Sequence, residues 1–288
     1  MKFTNNKLKE IVWEKLSLKV KTISRNTRGW EMDVWIIETD KQKIVLKHPM
    51  NNRKVRNNHT IASKLLAKKG IIVPQILYID DQILIETFLD GTYLEQIDFS
   101  EVPRYEVFLK IGEVFKKIHS IKTTNFGMIT DEPLVGKFSN QIEYLQSGLS
   151  DELLVLEKTP YYSRKDVEQV LQYFESHKSV VKNSSSVLLH ADFCGSNLVY
   201  TPDGEIGMID FADLSVGNPM FDVTKVYTEH IGDGAFQAFN DGYGAIQLEQ
   251  VKLFALRHLI FLIPALWKRN DEHDRVKRLC QVFETIWK

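Results

Sequence analysis

The sequence predicts an α+β protein of two lobes: an N-terminal antiparallel sheet with one main helix, and a larger, mainly helical C-terminal lobe. Residues 1–89 contain five short apolar runs with strand-like patterns, separated by turn residues and one helical stretch. From residue 90 onward, apolar residues recur mostly at helical spacing. We therefore expect one lobe at residues 1–89 and a second at residues 90–288, with a hinge near residues 86–91.

The N-terminal lobe begins with a predicted helix over residues 5–16, whose apolar residues fall at helical spacing. Leu16, Leu18 and Val20 then alternate into the first strand. The main helix of this lobe lies between the third and fourth strands and ends at Gly70, a typical stop residue. The other four strands are predicted at residues 31–39, 42–48, 73–79 and 82–89.

The C-terminal lobe is predicted to be helical because apolar stripes run along it, one of them ending at Ile118. The apolar run at residues 253–267 predicts a buried helix kinked by Pro264. Arg257 and His258 interrupt this run, so we expect no membrane span.

Composition excludes several classes of protein. The chain has 288 residues, of which 43% are hydrophobic and 26% charged, enough for two lobes with real cores. Its first residues are polar and charged, so we expect no signal peptide and a cytoplasmic location. Its two cysteines, Cys194 and Cys280, lie far apart outside any Cys-x-x-Cys pairing, which excludes a disulfide framework or a zinc site.

The net charge of −1 conceals an asymmetry between the two parts of the chain. Residues 1–80 hold 17 Lys and Arg against 7 Asp and Glu, whereas residues 81–288 hold 20 against 31. A basic part suits a polyphosphate nucleotide, and an acidic part suits a cationic small molecule. Solvated helix faces would give the same counts. The basic part lacks the interleaved aromatic residues of a nucleic-acid surface, so we expect no nucleic-acid partner.

The stretch from Val187 to Asp213 carries the clearest chemical signal. It is interpreted as a strand, a loop, a short strand, a Pro-Asp-Gly turn and another strand that ends at Asp210. Asp192 lies in the loop, and Asn197 follows five residues later. Two of these strands would present three metal- or proton-binding groups side by side, so that one hairpin-like unit would form the site.

Those residue types match phosphoryl transfer, which needs a carboxylate to orient and deprotonate the attacking hydroxyl and oxygen ligands to hold Mg²⁺ on the phosphates. Asp192 fits the first role. Asn197 and Asp210 fit the second, because amide and carboxylate oxygens bind Mg²⁺. His190 is expected to brace the loop rather than to react. Each residue alone is more often structural than catalytic, so the prediction depends on their combination.

The segments HADFCGSNLVY and GMIDFADLSVGNPMFDVTK resemble the aminoglycoside phosphotransferase family, the small-molecule branch of the protein-kinase-like fold. The resemblance implies a bilobal kinase-like fold with ATP and Mg²⁺ as cofactors. Residues 1–89 would form the nucleotide-binding lobe, and residues 90–288 the catalytic and substrate-binding lobe. Asn218 replaces the aspartate that usually follows the glycine of Gly-Asp-Pro, and Asp222 matches the residue that braces the catalytic loop. Choline kinases share the pattern. A protein kinase is disfavoured because Ala191 replaces the arginine of His-Arg-Asp, and no Ala-Pro-Glu segment follows.

The resemblance also implies nucleotide-binding residues in the N-terminal lobe. Lys47 matches the lysine that contacts the α- and β-phosphates. Residues 24–30 occupy the position of the phosphate-covering loop, where Ser24 and Gly29 are the candidates, although a plain β-turn explains the segment equally well. Glu86 and Phe88 match the hinge strand whose main chain contacts the adenine, and GTP is not excluded as the donor.

One departure from the family concerns the partner of Lys47. Residues 41–79 contain no Asp or Glu, so the helix cannot supply the glutamate that usually pairs with this lysine. The alignment places His59 or Thr60 at that position. Either another residue or the nucleotide alone must hold Lys47.

The acceptor is expected to be a small, cationic molecule bound by carboxylates beyond Asp210, although surface helices also carry such residues routinely. The candidates are Glu229, Asp233, Asp241 and Asp271. The first function predicted is phosphorylation of an aminoglycoside-type antibiotic. A kinase for choline, homoserine, fructosamine or methylthioribose-like metabolites is the alternative enzyme, and a catalytically silent nucleotide-binding module is the other class.

Overall fold

The computed structural model describes residues 3–26, 32–50, 54–55, 57–130, 134–269 and 273–288. The chain divides into two compact units. The first, the sheet unit, comprises Met1–Ile97 and Gly195–Ala212; the second, the helical unit, comprises Asp98–Cys194 and Asp213–Lys288. The functional division expected at residues 89 and 90 stays a prediction.

The described residues form α-helices and β-strands with the following bounds. The helices are α1 (Asn5–Leu16), α2 (Asn58–Lys68), α3 (Arg104–Ile118), α4 (Gln141–Gln146), α5 (Leu149–Glu157), α6 (Arg164–His177), α7 (Met220–His230), α8 (Ala235–Tyr243), α9 (Leu248–Arg269) and α10 (His273–Trp287). The strands are β1 (Val20–Asn26), β2 (Met32–Thr39), β3 (Lys43–Pro49), β4 (Ile76–Ile79), β5 (Leu84–Thr87), β6 (Thr92–Tyr93), β7 (Phe126–Ile129), β8 (Gly136–Phe138), β9 (Val187–Leu189), β10 (Leu198–Tyr200), β11 (Ile206–Met208) and β12 (Ser215–Gly217).

The sheet unit contains the antiparallel five-stranded sheet that the sequence predicts, in the order β1-β2-β3-β5-β4. Helix α1 packs its apolar face onto this sheet, where Leu8 and Val12 are fully buried beside Ile37 and Leu46. Burial of such side chains contributes about 1.5–3 kcal/mol each. The α1 face therefore belongs to the core of the sheet unit.

The start of the first strand differs from the sequence prediction. Leu16 ends helix α1, and Ser17 takes a left-handed conformation with φ 54°, while its N–H donates to the carbonyl oxygen of Trp13. This cap satisfies one of the helix's last carbonyl groups. Residues 17–19 connect the end of helix α1 to the sheet, so β1 begins only at Val20.

A second, smaller sheet in the sheet unit has the order β11-β10-β6. Strands β10 and β11 form a hairpin, and the N–H of Met208 donates to the carbonyl oxygen of Ile72 at 2.9 Å. Gly91, with φ +143°, precedes β6, and a Cβ there would lie 2.3 Å from the carbonyl oxygen of Tyr200. Only glycine allows this approach of the two chain segments.

The helical unit holds the other sheet, in the order β8-β7-β12-β9, together with helices α3 to α10. Strand β9, which precedes the loop that contains Asp192, lies in this sheet, whereas β10 and β11 lie in the smaller sheet of the sheet unit. The three strands predicted between residues 187 and 213 therefore do not share one sheet. They exist as predicted, but only β10 and β11 form a hairpin. Strand order is set by pairing partners far away in sequence, which the local pattern does not encode.

Helix α9 carries the apolar run predicted to be buried, and Pro264 lies inside it. By length and composition alone this helix is able to cross a membrane, contrary to the expectation from the interrupted run. In the structure 56% of the most apolar 18-residue segment of α9 is buried, and the helix packs against α5, α7 and α10. This is the environment of a core helix.

Candidate active site

The hairpin of β10 and β11 places both predicted metal ligands at one end. Asn197 immediately precedes β10, and its carbonyl oxygen accepts a hydrogen bond from the N–H of Ile209 at 3.0 Å. Asp210 follows Ile209, so the two ligands lie at neighbouring positions on paired segments. Asn197 is buried, and Asp210 has a left-handed backbone with φ 62°. Such a conformation is uncommon for a residue other than glycine and is often found at functional sites.

This pair suits Mg²⁺ in its donor chemistry. Magnesium prefers oxygen ligands, and in nucleotide sites it is held by one or two carboxylates together with substrate phosphates and water. Among the residues that the structure describes, no group of three or more His, Cys, Asp and Glu side chains forms a metal cage. Asn197 and Asp210 fit a metal that is carried by a nucleotide, because phosphate and water oxygens would supply its other ligands.

Lys47 lies in β3, and its ammonium is buried within the sheet unit. Its Nζ lies 2.9 Å from the Oε1 atom of Glu86 in β5, and the side chains are 7% and 5% exposed. Burial alone would lower the pKa of Lys47, but the negative charges of Glu86 and Asp210 raise it well above its usual value. The lysine is therefore charged and lies within the field of the predicted metal ligand Asp210.

The partner of Lys47 is thus a strand residue, which answers the question that the sequence left open. The hinge prediction assigned a role to the main chain of Glu86. In the structure it is the side chain of Glu86 that forms the ion pair with Lys47. A signal existed in the sequence: Glu86 interrupts the apolar run ILIETFL, where an acidic residue would be buried. On α2, His59 is also buried.

The remaining nucleotide candidates lie on strands or outside the described residues. The hydroxyl of Ser24 in β1 donates to the carbonyl oxygen of Ile36 at 3.3 Å. Gly29 lies outside the described residues. The N–H of Phe88 donates to the carbonyl oxygen of Lys43 at 3.1 Å, so this group already takes part in a sheet contact. The roles of these residues toward a nucleotide stay predictions.

In the helical unit, Asp222 on α7 supports the loop that carries Asp192. Its Oδ2 accepts the N–H of His190 at 2.9 Å, and its Oδ1 accepts the N–H of Ala191 at 2.8 Å. Ala191 has φ 62°, a strained conformation that these bonds help to hold. The N–H of Asp192 lies 3.3 Å from Nδ1 of His190, which accepts this bond. These are the contacts that the predicted bracing roles of His190 and Asp222 require, and the roles themselves stay predictions.

Two residues that the sequence analysis did not identify complete this support. His119, the residue after α3, places Nε2 3.1 Å from Oδ2 of Asp222 and Nδ1 2.8 Å from the hydroxyl oxygen of Tyr243. Burial would raise the pKa of Asp222, but the hydrogen bond and the charge of His119 lower it below its usual value. A histidine directly after an apolar helix face was the only signal in the sequence.

The hydrogen bonds of Asn218 explain why an asparagine can replace the aspartate that is usual in the family at this position. Its amide group donates to the hydroxyl of Ser184 and to Oε1 of Gln250, both at 2.7 Å. Its Oδ1 accepts the N–H of Met220 at 2.8 Å, next to the start of α7. An aspartate in this orientation has no hydrogen atoms to donate to the two acceptors.

The predicted acceptor-binding carboxylates are held by other side chains of the helical unit. Glu229 pairs with Arg275 at 2.8 Å and also with Arg278. Asp233 pairs with Arg104 at 2.6 Å, and Asp241 accepts the hydroxyl of Tyr105 at 2.8 Å. Asp271 lies outside the described residues. The three described carboxylates thus serve internal contacts, and the structure does not gather them into one free acidic cluster.

Comparison with known proteins adds independent information. The structure of a thermostable mutant of aminoglycoside phosphotransferase APH(4)-Ia is similar, with a TM-score of 0.75, 16% sequence identity, and coverage of 96% of this chain and 97% of that chain. Choline kinase LicA from Streptococcus pneumoniae is also similar, with a TM-score of 0.68, 16% identity, and coverage of 97% of both chains. These likenesses confirm the protein-kinase-like fold.

A family description matches the sequence itself. The model of the phosphotransferase enzyme family matches residues 22–256, a range that runs from β1 into α9 and includes Lys47, Asp192, Asn197 and Asp210. Most of the chain is therefore covered by the match. The chain belongs to the phosphotransferase enzyme family.

Proposed function

We propose that this phosphotransferase moves the γ-phosphate of ATP to a hydroxyl group of a small molecule. The observation that carries the proposal is the charged, buried ammonium of Lys47 within the field of Asp210, at the hairpin end that also holds Asn197. A lysine for phosphates beside oxygen ligands for a metal is the arrangement that phosphoryl transfer requires.

Each residue has a defined role in the proposed reaction. Lys47 would bind oxygens of the α- and β-phosphates, and Asn197 and Asp210 would hold Mg²⁺ through their side-chain oxygens. Bound Mg²⁺ supplies positive charge that offsets the charge developing on the transferred group. Asp192 orients the acceptor hydroxyl and takes its proton as the oxygen attacks. Asp222 acts on Asp192 indirectly, because it fixes the main chain of His190 and Ala191 just before it.

An aminoglycoside-type antibiotic is the first acceptor class in this proposal. Its support is the family match and the likeness to APH(4)-Ia, which has been crystallised in a ternary complex with AMP-PNP and hygromycin B. ATP is the preferred donor for the same reason, and GTP remains to be compared with it. A cytoplasmic location follows from the need for ATP.

A metabolite kinase is the second candidate, and a specific observation favours it. Glu229 and Asp233 are paired with arginines, and Asp241 is bonded to Tyr105, so these carboxylates offer less charge to a polycation than the sequence suggested. An acceptor with one positive charge or none, such as choline or a sugar derivative, needs fewer carboxylates. The catalytically silent module is the third candidate, and Asp192 is the residue that distinguishes it.

A coupled assay of nucleotide consumption tests the proposal. Purified protein with Mg²⁺ and either ATP or GTP is offered aminoglycosides, choline, and neutral hydroxyl metabolites. Turnover with an aminoglycoside supports the first candidate, and turnover only with choline or a metabolite supports the second. Nucleotide binding without turnover of any acceptor favours the silent module.

The variant Asp192→Asn tests the proposed base. We expect turnover to fall by about 10³-fold or more while nucleotide binding persists, because proton acceptance and orientation are both lost. Asp203→Asn is the matched control, since Asp203 is exposed in the turn between β10 and β11. Equal turnover in Asp192→Asn and the wild type would refute the role of Asp192.

A further inference from the structure

The ion pair between Lys47 and Glu86 is built entirely from the five-stranded sheet. Lys47 lies in β3 and Glu86 in β5, and these two strands are hydrogen-bonded neighbours. In their register Val45 faces Glu86 and Lys47 faces Leu84, so Lys47 and Glu86 are diagonal neighbours on one face of the sheet. Strand β5 is paired on both sides, by β3 and β4, which fixes its position.

Helix α2 has no carboxylate to offer Lys47, since residues 41–79 contain neither Asp nor Glu. Its described contacts serve other purposes. The amide of Asn58 donates to the carbonyl oxygen of Ala212 at 3.0 Å, two residues beyond Asp210. Helix α2 therefore supports the segment that follows the predicted metal ligand.

Burial makes a partner for Lys47 necessary. An ammonium withdrawn from water loses solvation and tends to lose its proton unless an opposite charge compensates it. Removing one member of a buried pair is correspondingly costly. Glu86 is one of the two carboxylates whose charges act most strongly on Lys47; Asp210 is the other, and Tyr93 also contributes. In the proposed function Asp210 would also hold a metal, whereas Glu86 is assigned no second role and would remain the counter-charge of Lys47.

We infer that Glu86 is the positioning residue for Lys47, the role for which the family resemblance implies a glutamate on the helix. The inference rests on the proposed function, in which Lys47 binds phosphate. It has a structural consequence: both members of the pair lie on neighbouring strands, so no ion pair to α2 is needed to orient Lys47. Lys47 is therefore already oriented before the nucleotide binds. Because α2 carries no carboxylate, an ion pair between Lys47 and α2 cannot regulate this site.

Direct measurement of ATP binding tests this inference without relying on turnover. The variant Glu86→Gln keeps the size of the side chain and removes its charge. We expect the Kd for ATP to rise roughly thirtyfold or more, in the range seen when one partner of a buried charge pair is lost. Glu38→Gln is the matched control, because Glu38 lies in β2 of the same sheet and is exposed, with a hydrogen bond to Thr22. Its Kd for ATP should equal that of the wild type.

The pH dependence of ATP binding separates positioning from a general structural effect. In the wild type, Glu86 keeps Lys47 charged, so its contribution to ATP affinity should stay constant between pH 7 and pH 9. In Glu86→Gln the remaining counter-charge is Asp210, and ATP affinity should fall as the pH rises because Lys47 loses its proton more easily. A variant that is merely less stable would not acquire this slope.

The outcomes are distinct. A folded Glu86→Gln protein with wild-type ATP affinity and a flat pH profile overturns the inference and leaves the proposed function intact. Failure of the wild type to bind ATP overturns both. If Glu86→Gln does not fold, Glu86→Asp takes its place, since it keeps the charge and shortens the side chain by one methylene. We expect an intermediate Kd for Glu86→Asp, and an unchanged Kd would again overturn the inference.

Discussion

His119 joins Asp222 to Tyr243 through its two ring nitrogens, 3.1 Å from the carboxylate oxygen and 2.8 Å from the hydroxyl oxygen. Asp222 in turn accepts the N–H groups of His190 and Ala191. A continuous series of hydrogen bonds therefore leads from α8, through the end of α3 and α7, to the loop before Asp192. His119 and Asp222 are almost completely buried, so these bonds are shielded from water.

Removal of the His119 side chain is predicted to impair turnover through the position of Asp192. In His119→Ala, Asp222 loses a buried partner and the loop loses part of its support, so kcat should fall about tenfold or more with little change in the KM for ATP. The free energy of unfolding should fall by about 1–3 kcal/mol, the cost of leaving a buried polar group unsatisfied. Steady-state kinetics and urea unfolding measure the two effects.

Two further variants control this experiment. His119→Gln retains a donor in the side chain and should recover part of kcat. His177→Ala removes a histidine of α6 that stacks on Tyr173 and whose hydrogen bonds go to Tyr173 and Ser176 rather than to Asp222. It should leave kcat unchanged, and an equal loss of kcat in this variant would show that the effect of His119→Ala is general.

Acid unfolding is predicted to depend on Asp222. Its pKa in the folded protein lies below its ordinary value of 3.8. A lowered pKa means that the ionised carboxylate stabilises the fold above the unfolded-state pKa, and that this stability is lost as the pH falls through the folded-state pKa. The wild type should therefore lose stability more steeply below pH 3.8 than Asp222→Asn does. Urea unfolding between pH 2.5 and pH 6 provides the comparison, and parallel curves would contradict it.

The sequence was sufficient to predict the elements around the site. Strand patterns in residues 1–89 predicted the five-stranded sheet, because alternation reports burial on the sheet faces directly. The pattern of residues 187–213 predicted a hairpin-like unit that presents Asp192, Asn197 and Asp210. Strands β10 and β11 form a hairpin with Asn197 and Asp210 at one end, whereas Asp192 lies in the loop after β9. Strands and tight turns depend on residues close together in the sequence, so a short segment of the chain is enough to predict them.

Long-range side-chain partners could not be predicted in the same way. The pairing of Lys47 with Glu86 depends on the register of two strands whose residues are 39 positions apart. The pairing of Asp233 with Arg104 joins residues 129 positions apart. Charge counts report how many carboxylates a region holds, but not which cations reach them. The prediction of an acidic acceptor surface therefore rested on composition, which does not distinguish paired from unpaired groups.

The carboxylates first assigned to the acceptor are predicted to affect stability rather than acceptor binding. Asp233→Asn removes the partner of Arg104 from a site where both side chains are more than one-third exposed, so the free energy of unfolding should fall by no more than about 1 kcal/mol. The KM for the acceptor should stay within about twofold of the wild-type value. A tenfold rise in that KM, with unfolding unchanged, would restore Asp233 as an acceptor ligand.

Replacement of Asn218 by the residue usual in the family is predicted to destabilise this protein. Asn218→Asp exchanges two donated hydrogen bonds for repulsion between a carboxylate and the oxygens of Ser184 and Gln250. The free energy of unfolding should fall by about 1–3 kcal/mol, because the group is buried and its acceptors lose a donor. The double variant Asn218→Asp with Gln250→Lys supplies a cation and should recover part of the loss. Unfolding free energies from urea titration test both proteins.

The contact between α3 and α8 gives the clearest packing prediction. A Cβ at Gly112 would lie 2.2 Å from the carbonyl oxygen of Phe239, and one at Gly242 would lie 2.0 Å from that of Leu109. Glycine to alanine normally stabilises a helix interior by about 1 kcal/mol. Here the new methyl group would overlap with backbone atoms, which cannot move away by changing rotamer. Gly112→Ala and Gly242→Ala should therefore each lower the unfolding free energy by about 1–3 kcal/mol.

A third glycine separates crowding from backbone strain. Gly70 has φ +69°, and a Cβ at this position would meet no atom within 4 Å, so Gly70→Ala carries only the conformational cost of about 1–2 kcal/mol. Because α3 ends beside His119, crowding at Gly112 should also displace this histidine from Asp222 and reduce kcat, whereas Gly70→Ala should leave kcat unchanged. Stability loss in Gly112→Ala without any loss of kcat would mean that the α3–α8 contact and the catalytic loop are mechanically independent.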